Sequence, residues 1–311
     1  MPRAFLQLAR AAFGAALFTA TLSPAAAMAQ DRQVLGHGRL FSNDFIGDGH
    51  DRWRSGAYVV SRVTGPEWQG HLPSEFGAIR EYRFRSEIIQ PRSLTNPGPR
   101  DRRYAGVLSA GVHTHLALGR AEASVGADLV MVGPQTLVGR FQRGAHQMLG
   151  HDRPMVLGNQ IGNRLLPTLS GEVGLPLVLA DGVSLRPFVE GQAGAETYLR
   201  AGADMVVGRF GEGGLMLRDV GTGQRYRGVP GATVPGLSFV LGADVAHVTH
   251  SAFLPDGGAA TLSDERTRLR AGLHWQGRRS DLFYGVTRLG REFEEQPEGQ
   301  VIGSLRLRIR F

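Results

Sequence analysis

The residues with the clearest chemical potential are Gln142 and His146, which lie four positions apart. Residues at that spacing share one face if their segment is helical. His151 and Asp152 follow closely, and a carboxylate that holds an imidazole in one tautomer supports a histidine that acts as a general base. Since a histidine in a connecting segment is usually an ordinary surface residue, the spacing alone leaves both interpretations open.

A second polar cluster lies at the end of the first candidate strand and is rich in side-chain oxygens. Its members are Ser42, Asn43, Asp44, Asp48, His50 and Asp51. Carboxylate and amide oxygens grouped in this way suit a hard cation such as Ca²⁺. An ordinary turn rich in Asp and Asn would have the same composition, so this interpretation also stays open.

Sequence motifs of several common enzyme classes are missing. The chain has no Gly-x-Ser-x-Gly elbow, no His-Glu-x-x-His zinc motif and no Walker loop. The glycine-rich stretch 211–214 lacks the strand and helix that a phosphate-binding loop requires. A phospholipase with a serine nucleophile is not indicated, because no serine has a convincing histidine partner in the sequence.

Residues 305–311 indicate what kind of strand positions these groups. Apolar residues and arginines alternate with period two, which in a strand sends the apolar side chains to one face and the arginines to the other. A water-soluble sandwich could bury the apolar face, but an alternating C-terminal strand that ends on an aromatic residue is typical of bacterial outer-membrane barrels. We expect Arg306, Arg308 and Arg310 to face the lumen, and Leu305, Leu307, Ile309 and Phe311 to face lipid.

Period-two alternation, regular or less regular, recurs along the whole chain. The segments lie near 36–46, 53–63, 81–88, 104–116, 120–131, 164–178, 185–193, 198–208, 237–245, 266–275, 280–291 and 305–311. They predict an all-β fold, a transmembrane antiparallel β-barrel of about 12 strands that forms one domain over residues 30–311. Charges this dense on a strand face need water or partners, which the core of a soluble sandwich would not supply.

Two connections are longer than the others. An even number of strands places both termini on the periplasmic side, so segment 134–163 falls on the extracellular side. Segment 209–235 falls on the periplasmic side, where turns are usually short. Either this second segment folds as a small plug or helix, or the strands near it pair differently.

The N-terminal residues 1–29 are predicted to be a secretory signal peptide. Arg3 and Arg10 supply a positive region, 11–22 is apolar, and 27–29 offers small residues for cleavage. No later stretch has the roughly 18 consecutive apolar residues of a membrane-spanning helix. The predicted location is the bacterial outer membrane, after removal of the signal peptide.

All 35 basic residues are arginine, and the net charge is +7. Nucleic acid is not a predicted partner, because an exported protein seldom meets it. The exclusive use of arginine has two possible explanations. A GC-rich genome would favour arginine codons, and guanidinium groups would also bind the phosphates and carboxylates of lipopolysaccharide.

Several short motifs follow one another along the chain. The longest run extends from Gly126–Pro134 through Gln142, Ala145 and His146 to Gly150, Asp152 and Gln160–Arg164. The others are Asn43–Asp44, Asp51–Arg52 ahead of Gly56, Asp101–Ala105 and the terminal aromatic strand. In order and spacing these motifs resemble those of the LpxR family, the lipid A deacylases of the outer membrane, most specifically in the run 126–164. The resemblance covers the mature chain in outline and implies the same barrel fold.

The resemblance also implies a Ca²⁺-dependent ester hydrolase that removes the acyloxyacyl group at the 3′ position of lipid A. His146 would be the general base that activates water, Gln142 would complete the polar pocket, and Asp152 would orient the histidine. Asn43 and Asp44 would hold Ca²⁺, which polarises the ester carbonyl and stabilises the oxyanion. The implied partners are lipopolysaccharide and the outer membrane, with the site toward the extracellular leaflet.

Two positions depart from the family pattern. The family's Tyr-Thr-x-Gly after the Asp-Arg pair is Trp53–Gly56 here, so either Arg54 replaces the threonine or Ser55 takes its role in binding the substrate. A lysine that some members carry near Pro91 is missing; Asn96 lies close by, and Arg92 or Arg100 could supply the charge.

A non-enzymatic barrel, either a small porin or a scaffold, is the alternative function. An arginine-lined lumen could conduct anions, whereas a barrel of about 12 strands can also be filled by side chains and leave no channel. Conductance across planar bilayers would separate these two cases.

Overall fold

The computed structural model describes residues 32–150 and 152–309, so the predicted signal peptide lies outside the described residues. The strands are β1 (Gln33–Asn43), β2 (Arg54–Gly65), β3 (Ile79–Ile89), β4 (Ala105–Leu118), β5 (Ala121–Val132), β6 (Arg164–Gly174), β7 (Leu177–Ala180), β8 (Val183–Ala193), β9 (Glu196–Val207), β10 (Leu215–Arg218), β11 (Arg225–Val229), β12 (Gly236–Ser251), β13 (Glu265–Gln276), β14 (Ser280–Leu289) and β15 (Gln300–Ile309). Helix α1 spans Val138–Leu149, and short 3₁₀ helices span Pro134–Thr136 and Val156–Asn159. Among the described residues, no helix is long and apolar enough to cross a bilayer.

Twelve antiparallel strands close into a barrel. The order runs from β6 back through β5, β4, β3 and β2 to β1, then through β15, β14, β13 and β12 to β9 and β8. Pairing of β8 with β6 closes the ring. Strand β7 forms a short hairpin with the start of β8, and β10 and β11 form a separate two-stranded sheet. The predicted barrel of about 12 strands is confirmed.

Strand β15 shows the alternation that the sequence predicts. Leu305, Leu307 and Ile309 have exposed fractions of 38%, 48% and 53%, whereas Arg306 is only 4% exposed. The Arg306 guanidinium lies 3.1 Å from the Asp281 carboxylate inside the barrel. The predicted orientation is confirmed for these residues, while positions 310 and 311 lie outside the described residues.

A charge on the outward face should destabilise the barrel. Leu241 lies in the middle part of β12 with its side chain exposed outward. Replacing Leu241 by Arg should lower the free energy of unfolding by roughly 2–4 kcal/mol, because lipid cannot solvate the guanidinium near the bilayer midplane. Denaturant titration in lipid vesicles measures this, with Leu241→Met as the apolar control. Equal stability of the two variants would contradict the assignment of this face to lipid.

The segment 209–235 folds as a plug, one of the possibilities that the sequence leaves open. Its strands β10 and β11 lie inside the barrel, where the hydroxyls of Tyr226 and Ser61 lie 3.0 Å apart. Arg218 donates to Asp204 over 2.7 Å, which ties the hairpin to β9. Because the hairpin occupies the lumen and its arginines have carboxylate partners, the structure does not favour an open anion channel.

The two ends of the barrel differ in what they carry. We call the end at which β1, β3 and β5 stop the helix end, because the connection 133–163 with α1 lies there. The opposite end, at which β1 begins and β15 stops, is the terminal end, and segment 208–235 leaves the wall there. The two long connections therefore lie at opposite ends, as the strand count predicts.

Candidate active site

Helix α1 carries Gln142 and His146 on one face. The helix ends at Gly150, whose φ of 74° is easily adopted only without a Cβ, and whose N–H donates to the carbonyl of His146. Gln142 is buried and His146 is half-buried. The Gln142 side chain contacts Gln90, just after β3, so this face of the helix points toward the barrel rim.

Helix α1 packs against the outward side of the barrel wall. In β4, Val112 is exposed and His113 is buried, so the even-numbered residues of this strand point outward. A Cβ on Gly106 would lie 2.9 Å from the Val138 side chain of α1. The absence of a side chain at this position lets the helix approach the wall from outside, above the lipid-facing surface.

Asp51 links the helix to the barrel rim. Gln142 Nε2 donates to Gln90 Oε1 over 2.7 Å, and Gln90 Nε2 donates to Asp51 Oδ1 over 2.6 Å. The hydroxyl of Ser55 donates to the same Asp51 oxygen over 2.5 Å. The other oxygen, Asp51 Oδ2, lies 3.4 Å from His146 Nε2. The carboxylate that faces the imidazole is therefore that of Asp51.

The main chain of Asp152 contacts the opposite side of the imidazole. His146 Nδ1 lies 2.9 Å from the carbonyl oxygen of Asp152, and because a carbonyl oxygen only accepts, Nδ1–H donates to it. Nε2 faces the Asp51 carboxylate on the other side of the ring. Asp152 therefore contacts the ring through its main-chain carbonyl, and the predicted role of its carboxylate in orienting the ring stays a prediction. His151, the neighbouring candidate, lies outside the described residues.

Asp44 lies beside this group and is almost completely buried. Its carboxylate accepts the main-chain N–H of Arg52 over 2.8 Å, and its Oδ1 lies 3.5 Å from the Ser55 hydroxyl. Burial, aided by the nearby negative charge of Asp51, raises the pKa of Asp44 to about 8. A carboxylate in this environment is stabilised by gaining a proton or a cation.

The Asn43 side chain can lie next to that of Asp44 because Asn43 is the last residue of β1. Adjacent strand residues start toward opposite faces, so Asn43 and Asp44 could not converge within a regular strand. Asn43 Oδ1 accepts the main-chain N–H of Phe45 over 2.9 Å, and that N–H also interacts with the Asp44 carboxylate. The shared donor brings an amide oxygen and a carboxylate side by side.

A model of the family described as Outer membrane protein LpxR matches residues 13–311 of the chain. The chain belongs to the LpxR family. This membership supports a location in the outer membrane and assignment of the protein to the lipid A deacylases.

A solved structure from this family shows the same fold. LpxR from Salmonella typhimurium is similar to this chain with a TM-score of 0.72 and 18% sequence identity, over 89% of this chain and 100% of that chain. The beta domain of the Bordetella autotransporter BrkA has a TM-score of 0.44 and 12% identity, over 89% and 99% of the two chains. No curated protein matches the sequence significantly.

A β-bulge gives Arg54 and Ser55 of this LpxR-family protein different surroundings. The pairing of β2 with β3 shifts in register between Arg54 and Gly56, so Ser55 is the extra residue. The guanidinium of Arg54 is buried among Glu87, Glu196 and Glu292. The structure therefore brings Ser55 to Asp51 and does not bring Arg54 to the site.

Two buried polar atoms of the site have no hydrogen-bond partner within the described part of the chain. They are the hydroxyl of Tyr104 and Oε1 of Gln142. Burial, together with the charge of Asp51, raises the pKa of the Tyr104 phenol. Buried polar atoms are almost always satisfied, so a water molecule or a substrate group is expected here. Tyr104 belongs to a motif shared with the family, whereas nothing in the sequence distinguishes Gln90.

Proposed function

We propose that this protein hydrolyses the ester that attaches the 3′-linked acyloxyacyl group to lipid A. The observation that carries the proposal is the position of His146 between the Asp51 carboxylate and the Asp152 carbonyl, on a helix outside the barrel wall. A histidine oriented in this way can act as a general base. The strand count predicts that the helix end is extracellular, and lipid A lies in the outer leaflet of the membrane. A site on the outward side of the wall at this end could therefore bind lipid A while the lipid stays in the membrane.

The imidazole of His146 activates the attacking water in this proposal. Nε2 takes a proton from the water while its oxygen bonds to the ester carbonyl carbon, and Nδ1–H stays on the carbonyl of Asp152. Asp51 Oδ2, 3.4 Å from Nε2, stabilises the positive charge that the ring gains. The same proton then passes to the sugar oxygen as the carbon–oxygen bond breaks and the fatty acid leaves.

Gln142 positions the water. Its Nε2 is fixed by Gln90, which leaves the buried Oε1 free to accept a hydrogen bond. A water held by this oxygen and by His146 Nε2 is oriented before it reacts, which removes much of the entropic cost of bringing it to the ester.

The donor chemistry beside His146 fits Ca²⁺. Asn43 and Asp44 supply an amide oxygen and a buried carboxylate, and hard oxygen donors of this kind suit this cation. An amide oxygen has two lone pairs, so the bond from Phe45 N–H leaves one available. Among the described residues, no group of three or more His, Asp or Glu side chains is arranged to hold a metal ion. Asn43 and Asp44, with Ser55 nearby, would hold Ca²⁺, which supplies polarisation of the ester carbonyl.

Removing the charge of Asp51 should slow the reaction. Replacing Asp51 by Asn should lower kcat about 10²-fold, because the imidazole loses the carboxylate that it faces and shifts from its reactive position. Release of fatty acid from lipid A in vesicles measures the rate. The matched control is Asp256→Asn, which removes an exposed carboxylate at the same end of the barrel. Equal rates for the two variants would exclude Asp51 from the reaction.

Reconstitution tests the proposed function as a whole. Purified protein in vesicles that contain lipid A and Ca²⁺ should release the acyloxyacyl group as a free acid, while planar bilayers with the same preparation should show no steady conductance. A folded barrel that conducts ions and releases no fatty acid would instead support the porin alternative.

A further inference from the structure

Helix α1 has three faces of different chemistry. At 100° per residue, the face that contacts the barrel carries Val138, Gly139, Gln142 and His146. One flank of this face is apolar and consists of Phe141, Ala145 and Met148, and Leu149, the last residue of the helix, lies between this flank and Gln142. The other flank is basic and polar and consists of Arg140, Arg143 and Gln147. The helix thus presents three surfaces, namely the face that carries the site residues, an apolar flank and a basic flank.

The apolar flank is exposed. Phe141, Met148 and Leu149 have exposed fractions of 74%, 81% and 66%, and Leu137 just before the helix is also exposed. Single apolar side chains on a surface are normal, but a contiguous group of large ones indicates a partner. The partner must be apolar and must reach the outward side of the barrel wall.

The apolar flank continues the lipid-facing surface of the wall. The contact between Gly106 and Val138 fixes α1 on the outward side, the side on which Val112 of β4 and Leu129 of β5 are exposed. Only five residues, 133–137, connect the end of β5 to α1, so the helix begins close to the rim of the wall. Lipid that covers the wall is therefore the occupant that fits this flank.

The basic flank fits the same membrane. Arg140 and Arg143 are exposed. At 100° per residue, Arg143 lies on the side of α1 roughly opposite to Phe141 and Met148, and Arg140 lies between Arg143 and Met148. Guanidinium groups bind phosphates with charge-assisted hydrogen bonds, and phosphates lie at the surface of the leaflet. An apolar flank and a basic flank on one helix are the features of a helix that lies in the membrane interface.

We propose that α1 is an interfacial membrane helix, with Phe141, Met148 and Leu149 among the acyl chains and Arg140 and Arg143 at the phosphate layer. This inference requires that the barrel spans the membrane, and it does not depend on the proposed hydrolase activity. Its consequence for the site is that His146 is held at the depth where acyl chains join their headgroup.

The depth of each flank can be measured with spin labels. The chain contains no cysteine, so a single introduced cysteine is labelled specifically. Nitroxide labels at Phe141→Cys and Met148→Cys report the apolar flank, Gln147→Cys the basic flank, and Leu129→Cys the lipid-facing wall. The full barrel is reconstituted in vesicles of phosphatidylethanolamine and phosphatidylglycerol. Relative accessibility to oxygen and to a water-soluble nickel complex is then recorded.

Labels at 141 and 148 should behave like the label at 129, with an oxygen-to-nickel ratio severalfold higher than at 147. If 141, 148 and 147 are all equally accessible to nickel while 129 is protected, both flanks lie in water and the inference is overturned. Protection of 147 in place of 141 also overturns it. Heat-modifiable migration shows that each variant is folded. Because no fatty acid is measured, an inactive protein that gives the expected ratios would refute only the proposed function.

Discussion

Replacing His146 by Ala should lower the rate of fatty-acid release by a factor on the order of 10²–10⁴, the usual effect of losing a positioned general base. No other described imidazole contacts Asp51 within salt-bridge distance, so nothing in that part of the chain replaces the lost Nε2. The rate is measured on lipid A in vesicles with Ca²⁺ present. The barrel should remain folded, because the helix is anchored by the contact of Gln142 with Gln90.

Gln147→Ala is the matched control for this variant, since it removes an exposed polar side chain from the next position of the same helix. It should retain nearly the full rate. If His146→Ala also releases fatty acid at a near-normal rate, His146 is not the base, and His151 becomes the next candidate.

Replacing Asp44 by Ala should lower the rate roughly 10³-fold, which corresponds to about 4 kcal/mol of charge stabilisation at the ester oxygen. The variant loses the buried carboxylate that would bind Ca²⁺, so raising the lipid A concentration should not restore the rate. A chelator should abolish fatty-acid release by the unaltered protein, and added Ca²⁺ should restore it.

The control for metal dependence is Asp181→Ala, which removes an exposed carboxylate at the terminal end. It should respond to chelator and Ca²⁺ as the unaltered protein does. Activity that persists in excess chelator would contradict the metal role and would leave Asn43 and Asp44 as hydrogen-bonding residues of a strand end.

The strands of this protein are predictable from sequence because lipid and lumen impose opposite polarity on alternate residues. In β15, Leu305 faces outward and the neighbouring Arg306 faces the lumen. Each segment in which the sequence alternates between apolar and polar residues coincides with a strand of the barrel. The helical spacing of Gln142 and His146 also indicated a shared face, since four residues make about one turn. These features depend only on neighbours in the chain.

The rest of the site depends on contacts between distant segments. Asp51 meets His146 across 95 residues of chain, and neither residue type nor spacing identifies that pair. The different surroundings of Arg54 and Ser55 arise at a bulge in the pairing with β3, which becomes visible only when the register is known. The packing of α1 against the outside of the wall depends in part on the absence of a side chain at Gly106. In the sequence, nothing distinguishes this glycine from the other glycines among the 44.

Mass spectrometry of lipid A from bacteria that produce either the unaltered protein or His146→Ala distinguishes a hydrolase from an inactive barrel. The unaltered protein should yield lipid A lighter by one acyloxyacyl group, lost from the 3′ position, and the variant should yield the full mass at equal amounts of folded barrel. Lipid A of full mass in both strains, in the presence of Ca²⁺ and folded protein, would contradict the account.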